Sequence, residues 1–444
     1  MRACRTAMFL LVITGLITSS FASSEYSSVE AAKPVKSQPY WRSSTCRNCH
    51  TGIFDQHLQS MHAKSFTNPV FQAQYFKEFL PSVSMDATLS TEAKGCIACH
   101  SPIAYLTSGG KFVTKDQVDP EMSGVTCDFC HTIKGYKDNS PGNGNYVSEP
   151  GGGKLGPFRH ESTWHHVYSE LHTKSEFCAI CHNQVNRHGV EIKSTYTEWK
   201  ESPYKKEGIQ CQDCHMNAVG FLTAGRPVYE SGRAARITLA EARYRPKLYT
   251  HRFPGAHSKS QVIGALKLDI KVTEQTVSAG DEMTIDVFID NSRTGHKMPS
   301  GSTDLRLLWC ELKAYVINDK TMSPIPLAIP PDSSAGNGGN YRDMVKDDIP
   351  EGSRIYRAIF LDKAGKQTLS SYNAAKIIFD NRLNAAEIRR ETYRFRIPES
   401  AEDKLYLVAD LNYLPYSGVF AKRLGLPKPD RVVIASTKKE IALK

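Results

Sequence analysis

The chain has 444 residues, a length that suggests about two domains. Its formal net charge is +10, but no basic stretch interleaved with aromatic residues accompanies this charge, which excludes nucleic-acid binding as its basis. The composition changes near residue 260, because residues 40–260 hold 14 of the 15 histidines and ten of the 12 cysteines.

The first residues have the pattern of an export signal. Arg2 and Arg5 form a basic start, residues 7–17 form an apolar core, and Ser20-Phe21-Ala22 is a small-x-small cleavage site. The apolar run is too short to span a bilayer. We therefore predict a signal peptide over residues 1–22, a polar leader over 23–39, and a periplasmic, secreted or cell-surface mature chain without a transmembrane segment.

A five-residue pattern, Cys-x-x-Cys-His, occurs five times between residues 46 and 215. Its cysteines are Cys46, Cys49, Cys96, Cys99, Cys127, Cys130, Cys178, Cys181, Cys211 and Cys214, and its histidines are His50, His100, His131, His182 and His215. This pattern is the attachment signature of c-type haem: the two thiols add across the haem vinyl groups, and the histidine binds the iron. The sequence therefore predicts five covalent haem c groups.

Other interpretations of the motif fit less well. A thioredoxin-like site would have one Cys-x-x-Cys and no obligatory histidine, and a structural zinc site does not need histidine directly after the second cysteine. After the signal, only Cys310 lies outside the motifs, which excludes a conventional disulfide framework. Cys310 lies in an apolar, strand-like run and is predicted to be a buried small hydrophobic residue.

The haem groups also change the meaning of the net charge. Removing Arg2 and Arg5 with the signal leaves +8, and five haems bring up to ten negatively charged propionates. We therefore expect many lysine and arginine side chains to neutralise propionates.

The five motifs have an internal order. Their histidines are separated by 50, 31, 51 and 33 residues, and the second motif resembles the fourth as the third resembles the fifth. We predict related modules formed by motifs two and three and by motifs four and five, with chance similarity as the alternative. The Gly- and Pro-rich residues 135–158 between them predict a loop without regular structure.

Hydrophobic periodicity predicts helices in the motif region and strands from about residue 264 onward. The predicted helices are 53–65, 70–80, 164–172 and 195–204, and the predicted strands are 266–272, 283–290, 305–317, 355–361, 392–397, 405–411 and 431–435. We predict an α+β protein overall. A mostly irregular and α-helical haem domain spans residues 40–260 and packs around its haems, and a β-sandwich spans residues 261–444.

The second axial position of each iron separates electron transfer from substrate chemistry. A second strong ligand closes the iron, whereas an open face admits substrate. Ten histidines lie outside the motifs, which is twice the number that five bis-histidine irons need. The candidate distal ligands, each weighed against an ordinary surface histidine, are His62, His165, His166, His172, His251, His257 and His296.

His296 is the informative candidate, because it is the only histidine after residue 260. It lies in a Gly- and Pro-bounded loop, residues 291–301, that leaves a predicted strand. A lone histidine in a β domain is usually a surface residue, but the tight loop favours a ligand that reaches across to a haem.

Three stretches resemble the multihaem cytochromes related to cytochrome c-554: Gly-Val-Thr-Cys-Asp-Phe-Cys-His-Thr-Ile (124–133), Ser-Glu-Phe-Cys-Ala-Ile-Cys-His-Asn (175–183) and the stretch 196–216 with Tyr-Thr-Glu-Trp-Lys-Glu-Ser-Pro-Tyr and Cys-Gln-Asp-Cys-His-Met. The resemblance covers about residues 40–260. Thr-Gly-His-Lys-Met-Pro-Ser-Gly (294–301) resembles a loop in the β domain of some relatives. The resemblance implies alternating stacked and perpendicular haem pairs, mostly bis-histidine. The fifth motif and the C-terminal domain depart from the four-haem family type.

The expected function is electron transfer in respiration, with other cytochromes or a quinol-linked membrane complex as redox partners and no enzymatic role. One alternative is an oxidoreductase for nitrogen or sulfur compounds with one open haem. The chain resembles pentahaem nitrite reductase in haem count, but all five motifs end in histidine, whereas the catalytic motif of that enzyme ends in lysine. The other alternative is a homo-oligomer, a subunit of an extracellular filament that shares haem ligands between chains.

Overall fold

The computed structural model describes residues 39–110, 115–159, 165–236, 243–273, 276–318, 323–326, 345 and 347–444. The predicted signal peptide and nearly all of the predicted leader lie outside the described residues. Among the residues described, no helix has both the length and the apolar character that crossing a membrane requires.

The first part of the molecule consists of short helices joined by turns. Several of them start at a proline, which suits the first helical turn because that turn needs no N–H donor. The α-helices are Ser43–Arg47, Thr51–Gln59, Pro69–Gln72, Leu80–Met85, Ser90–His100, Pro102–Thr107, Cys127–Cys130, Ser175–His182, Thr195–Lys200, Pro203–Lys206, Cys211–His215 and Lys259–Val262. A π-helix, Ala73–Phe79, connects two of these, and 3₁₀ turns occupy Ala87–Leu89, Lys115–Gln117, Pro120–Met122 and Glu170–Thr173.

Helix bounds differ from the predicted ones for local reasons. The predicted helix 53–65 ends at Gln59, and the predicted helix 70–80 continues to Met85 through the π-helical turn. The predicted helix 195–204 is divided into two, because Pro203 cannot donate a backbone hydrogen bond to a continuing helix.

Two predictions for the segment between the modules are wrong. Residues 135–158 are not without regular structure, because Ile133–Tyr136 pairs with Tyr146–Ser148 and Lys154–Gly156 pairs with His166–Tyr168. The predicted helix 164–172 is a strand followed by a 3₁₀ turn, with residue 164 outside the described part. Tertiary packing accounts for the first case, because Tyr146 is buried, packs edge-on against Phe129 and donates a hydrogen bond to the carbonyl of Ala98 at 3.0 Å.

The second part is a β-sandwich, and the protein is α+β overall. Its strands are Lys267–Val272, Thr276–Val277, Glu282–Asp290, Leu307–Asn318, Ser323–Pro326, Arg354–Tyr356, Ala358–Leu361, Gln367–Thr368, Lys376–Asp380, Ile388–Arg396, Lys404–Leu414 and Val432–Leu443, with one helix, Gly418–Leu424. Short antiparallel hairpins in the first part, Gln184–Val185 with Glu191–Lys193 and Glu230–Arg233 with Tyr244–Leu248, complete the structure.

Two sheets face each other in the sandwich. The larger sheet has Lys404–Leu414 at its centre, between Leu307–Asn318 and Val432–Leu443. The smaller sheet has Glu282–Asp290 between Ile388–Arg396 and Lys267–Val272. Alternate residues of the central strands are buried, so each sheet contributes one apolar face to a common core. Cys310 is fully buried in this core, as predicted.

The core of the sandwich should control its stability. Ile285 is 0% exposed in the smaller sheet, whereas Ile388 on the adjacent strand is 63% exposed. We expect Ile285→Ala to lower the free energy of unfolding by about 2–5 kcal/mol, because it leaves a cavity in the core. The matched variant Ile388→Ala should change it by less than about 0.5 kcal/mol. Urea unfolding followed by far-UV circular dichroism measures both, and equal losses would contradict this core assignment.

Candidate functional site

A cavity of about 2230 Å³ lies between the helical part and the sandwich. It is lined by all five motif histidines and by every motif cysteine except Cys96. A pocket for one small molecule has about 300–1,000 Å³, so this space has room for several large ligands.

The motif cysteines reach the cavity because each Cys-x-x-Cys lies on or beside a helical turn. Residues three positions apart occupy one face of a helix, so both thiols of a motif point the same way. The second and fourth motifs form the last turns of Ser90–His100 and Ser175–His182. The third and fifth occupy the short helices Cys127–Cys130 and Cys211–His215. This shared arrangement agrees with two related modules.

Three motif histidines are oriented by the backbone. Nδ1 of His50 donates to the carbonyl of Ala234 at 2.8 Å, and Nδ1 of His100 donates to Ser65 at 2.9 Å. His131 makes the same contact with Leu155 at 2.6 Å. When Nδ1 carries the proton, Nε2 keeps its lone pair for a metal ion, which is the usual arrangement of metal-binding histidines.

Three motif histidines each face one further histidine ring. Two imidazoles that each place a nitrogen about 2 Å from one metal ion have ring centres about 6 Å apart. The observed distances between ring centres are 5.8 Å for His50 and His165, 6.1 Å for His182 and His62, and 6.2 Å for His215 and His296. The rings of His215 and His296 are nearly parallel, at 8°. Each spacing suits an iron held between the two rings.

His131 has two histidine neighbours, His251 at 6.3 Å and His172 at 5.9 Å. Nε2 of His172 donates to the carbonyl of Cys130 at 3.0 Å, so this nitrogen is engaged. His251 is partly buried, and neither its Nδ1 nor that of His172 has a hydrogen-bond partner, so the engaged Nε2 of His172 is the difference between the two. The geometry therefore favours His251 over His172 as the second ligand beside His131.

His100 differs from the other motif histidines. Within the described part of the chain, it faces no second histidine ring at about 6 Å. Instead, the ring of Phe71 stacks on it in parallel, at 4.0 Å between centres. A phenyl ring offers no lone pair to a metal ion, so the second motif lacks the paired imidazole that the other four have.

The remaining candidate histidines occupy other positions. Nε2 of His166 donates to the carbonyl of Phe158 at 2.7 Å, and His257 lies exposed at the edge of the cavity. Neither faces a motif histidine at the spacing described above, among the residues that the structure describes. The paired histidines lie at no characteristic distance in sequence from their motifs. Sequence separation therefore does not distinguish them from His166 and His257.

Burial keeps three of the facing histidines neutral. Burial lowers the pKa of His62 and of His251 to about 3, and that of His215 to about 4. Neutral imidazole is the form that binds a metal ion, so these side chains are ready to bind at neutral pH.

Cysteines of different motifs meet in pairs. In each pair, a mutual hydrogen bond is the main cause of a raised pKa on one thiol and a lowered pKa on the other. The pairs are Cys46 with Cys127, Cys181 with Cys99, and Cys178 with Cys211. Haem attachment removes these thiol protons. The cysteine pairs therefore indicate only that the attachment points of different motifs lie next to each other.

The charge of the cavity wall suits haem as well. Nine basic side chains line it and only three acidic ones. The basic residues are Lys64, Lys154, Lys193, Arg243, Arg245, Arg252, Lys259, Arg293 and Arg306, and the acidic residues are Asp55, Asp128 and Asp430. An excess of cations around a large apolar space is what haem propionates require.

Comparisons with known proteins agree with this site. Residues 45–132 match the family described as cytochrome c554 and c-prime. A penta-heme cytochrome c552 from Thermochromatium tepidum has a similar fold, with a TM-score of 0.62 and 20% identity over 90% of this chain and 99% of that chain. No curated protein matches the chain in sequence.

A further structural match is too weak to carry an argument. The sporulation control protein Spo0M from Bacillus subtilis has a TM-score of 0.18 and 12% identity over 41% of this chain and 50% of that chain. The motifs, the cavity and the two informative matches lead to one conclusion. The chain resembles multihaem c-type cytochromes in its motifs and its fold, with a haem region similar to cytochrome c554 and an appended C-terminal β domain.

Proposed function

We propose that this protein is a periplasmic or cell-surface electron carrier that holds five covalent haem c groups. The observation that carries the proposal is that four of the five motif histidines face a second histidine ring at 5.8–6.3 Å across one cavity. When bound, haem supplies an iron that alternates between the ferric and ferrous states and so carries one electron.

The chain's own residues hold these groups in defined places. The ten motif cysteines would form the thioether bonds. The proposed axial pairs are His50 with His165, His131 with His251, His182 with His62, and His215 with His296. His172, His166 and His257 would bind no iron. Bis-histidine ligation closes both faces of an iron, which favours electron transfer over substrate chemistry.

The paired cysteines support a route for electrons that differs from the order in sequence. Cys46 beside Cys127 connects the first motif with the third, and Cys130 and Cys181 pack against one apolar cluster, which connects the third with the fourth. The second and fifth motifs both adjoin the fourth. We infer that electrons pass between the first and fourth motifs through the third.

The redox partners would be other cytochromes or a quinol-linked membrane complex in a respiratory chain. His296 faces His215 of its own chain, which supports a self-contained carrier over a filament in which ligands are shared between subunits. The domains would be those expected from composition, with the haem domain ending and the β domain beginning near residue 260.

The second motif supports a second candidate function. Since His100 faces Phe71 and no second histidine in the described residues, the iron of this motif would keep an open face. An iron with an open face, which receives electrons from the four irons with two histidine ligands, would reduce a small nitrogen or sulfur compound. This candidate requires one high-spin haem, whereas the carrier does not.

The number of haems is tested by mass. The mature chain, residues 23–444, should carry five haem masses, because each of the five motifs has a histidine and at least one thiol at the cavity wall. Intact-protein mass spectrometry of fully matured protein measures this number. Four or fewer haems would remove one motif from the proposal.

The spin state tests whether the second candidate function has an open iron to use; an electron carrier can also contain one such iron. We expect four low-spin ferric haems and one high-spin haem by electron paramagnetic resonance, because His100 alone among the motif histidines faces no second histidine in the described part of the chain. The reduced protein should bind about one carbon monoxide per chain. A spectrum that is wholly low-spin, with no carbon monoxide bound, would leave electron transfer alone.

His296 is tested by its removal. The variant His296→Ala should add a second high-spin haem and a second bound carbon monoxide, because the iron beside His215 loses its sixth ligand. His166→Ala is the matched control: it removes another histidine that lines the cavity and should leave the spectrum unchanged. If the two variants behave alike, His296 is not a ligand. If the change depends on protein concentration, the ligand comes from a neighbouring chain.

A further inference from the structure

A buried carboxylate joins the haem region to the β domain. Glu198 belongs to the helix Thr195–Lys200, and its side chain is only 3% exposed. One carboxylate oxygen accepts hydrogen bonds from Ser194 at 2.7 Å and from Arg382 at 2.5 Å. The other oxygen accepts a hydrogen bond from Ser300 at 2.7 Å. Two of these three partners belong to the β domain.

Arg382 is equally enclosed, with a side chain that is 5% exposed. Its Nε and Nη2 donate to the two carboxylate oxygens of Asp380, each at 2.9 Å. Its Nη1 reaches Glu198 and also the carbonyl of Pro299 at 3.2 Å. Lys297 adds a second cation to Asp380 at 2.9 Å. We call Glu198, Asp380, Arg382 and Ser300 the interdomain clamp.

A buried ion pair is a poor source of stability, because the desolvation of both charges offsets their attraction. The best-attested benefit of such a pair is that it fixes one arrangement over others. The clamp includes Ser300 and contacts Pro299. The arrangement that it fixes is therefore that of the loop that carries His296.

The same loop is held on its other side. The carbonyl of His296 accepts hydrogen bonds from the side chains of Asn291 at 3.0 Å and Thr294 at 3.1 Å. Met298 and Leu383 exchange two backbone hydrogen bonds, at 2.8 and 3.0 Å, one residue from Arg382. Nδ1 of His296 donates to the carbonyl of Lys297 at 2.8 Å, which leaves Nε2 available.

We propose that the interdomain clamp positions His296 opposite His215, so that the docking of the β domain sets the axial ligation of the fifth motif. This inference rests on the proposed role of His296 as an axial ligand. Glu198 and Arg382 are positioning residues: they touch the loop and not the ring. The β domain is then a module that delivers a ligand to a haem held by the other domain.

The test measures ligation in the fully loaded protein. Glu198→Gln keeps the size of the side chain but replaces the charge-assisted hydrogen bond between Arg382 and Glu198 with a weaker neutral one, while Asp380 still compensates the charge of Arg382. We expect the ratio of low-spin to high-spin iron at the fifth motif to fall at least about tenfold, with a matching gain in carbon monoxide binding. Free imidazole should restore the low-spin signal. Ser300→Ala, which removes one hydrogen bond to Glu198, should give a smaller change in the same direction.

A matched control separates positioning from general stability. Arg354 and Glu391 form another poorly exposed ion pair, with side chains 12% and 17% exposed, on strands of the β domain. Glu391→Gln should lower stability without changing the haem spectrum. A spectral change equal to that of Glu198→Gln would overturn the proposal, because the effect would then be general.

His296→Ala distinguishes the two hypotheses. If His296→Ala leaves the spectrum unchanged, the proposed ligation itself is wrong. If His296→Ala creates a high-spin haem while Glu198→Gln and Ser300→Ala keep the original spectrum, His296 is a ligand and the clamp does not position it. Haem counts by mass spectrometry on every variant ensure that spectra are compared at equal loading.

Discussion

The proposed ligation depends on one geometric constraint, the spacing of about 6 Å between two imidazole rings that share a metal ion. A motif histidine is fixed by its own cysteines, so the second ring must come from elsewhere in the chain. Two motifs lie between His62 and His182 in the sequence, and His296 lies in a different domain from His215. Much of the helical part therefore consists of short elements that bring distant residues to one cavity.

The cavity also explains the charge of the chain. A net charge of +10 usually indicates a surface for an acidic partner. Here nine of the basic side chains line the cavity with only three acidic ones. Placing cations inside an apolar space is unfavourable without counter-charges, and haem propionates supply these charges. Part of the basic balance of the chain therefore belongs to the cavity wall.

The β domain differs from the haem region in how it is stabilised. Its sheets bury a continuous apolar core that includes Ile285, Leu407 and Cys310, all 0% exposed, so it needs no cofactor to fill its interior. A rigid sandwich is a suitable support for a loop that must hold one imidazole within a few tenths of an ångström. The ion pair between Glu198 and Arg382 then joins the sandwich to the haem region. A flexible tail that ended in histidine would reach the same iron but would lose more conformational entropy on binding.

The sequence alone determined the parts of this protein whose chemistry is local. The Cys-x-x-Cys-His motif identifies the cofactor because two thiols and a histidine at fixed spacing match the haem edge and its iron. Alternating apolar residues predicted the sandwich, and Cys310 lies in its core as predicted.

Only the tertiary structure decided which histidines face one another. The separation in sequence between His251 and His131 contains no distance information, and His172 was as good a candidate until its Nε2 was seen to bond with Cys130. Tertiary contacts also converted the predicted loop 135–158 and the predicted helix 164–172 into paired strands, since cross-strand hydrogen bonds outweigh local propensity. The pairing of Phe71 with His100 and that of Glu198 with Arg382 have no local signature either, because each joins residues whose proximity exists only once the chain has folded.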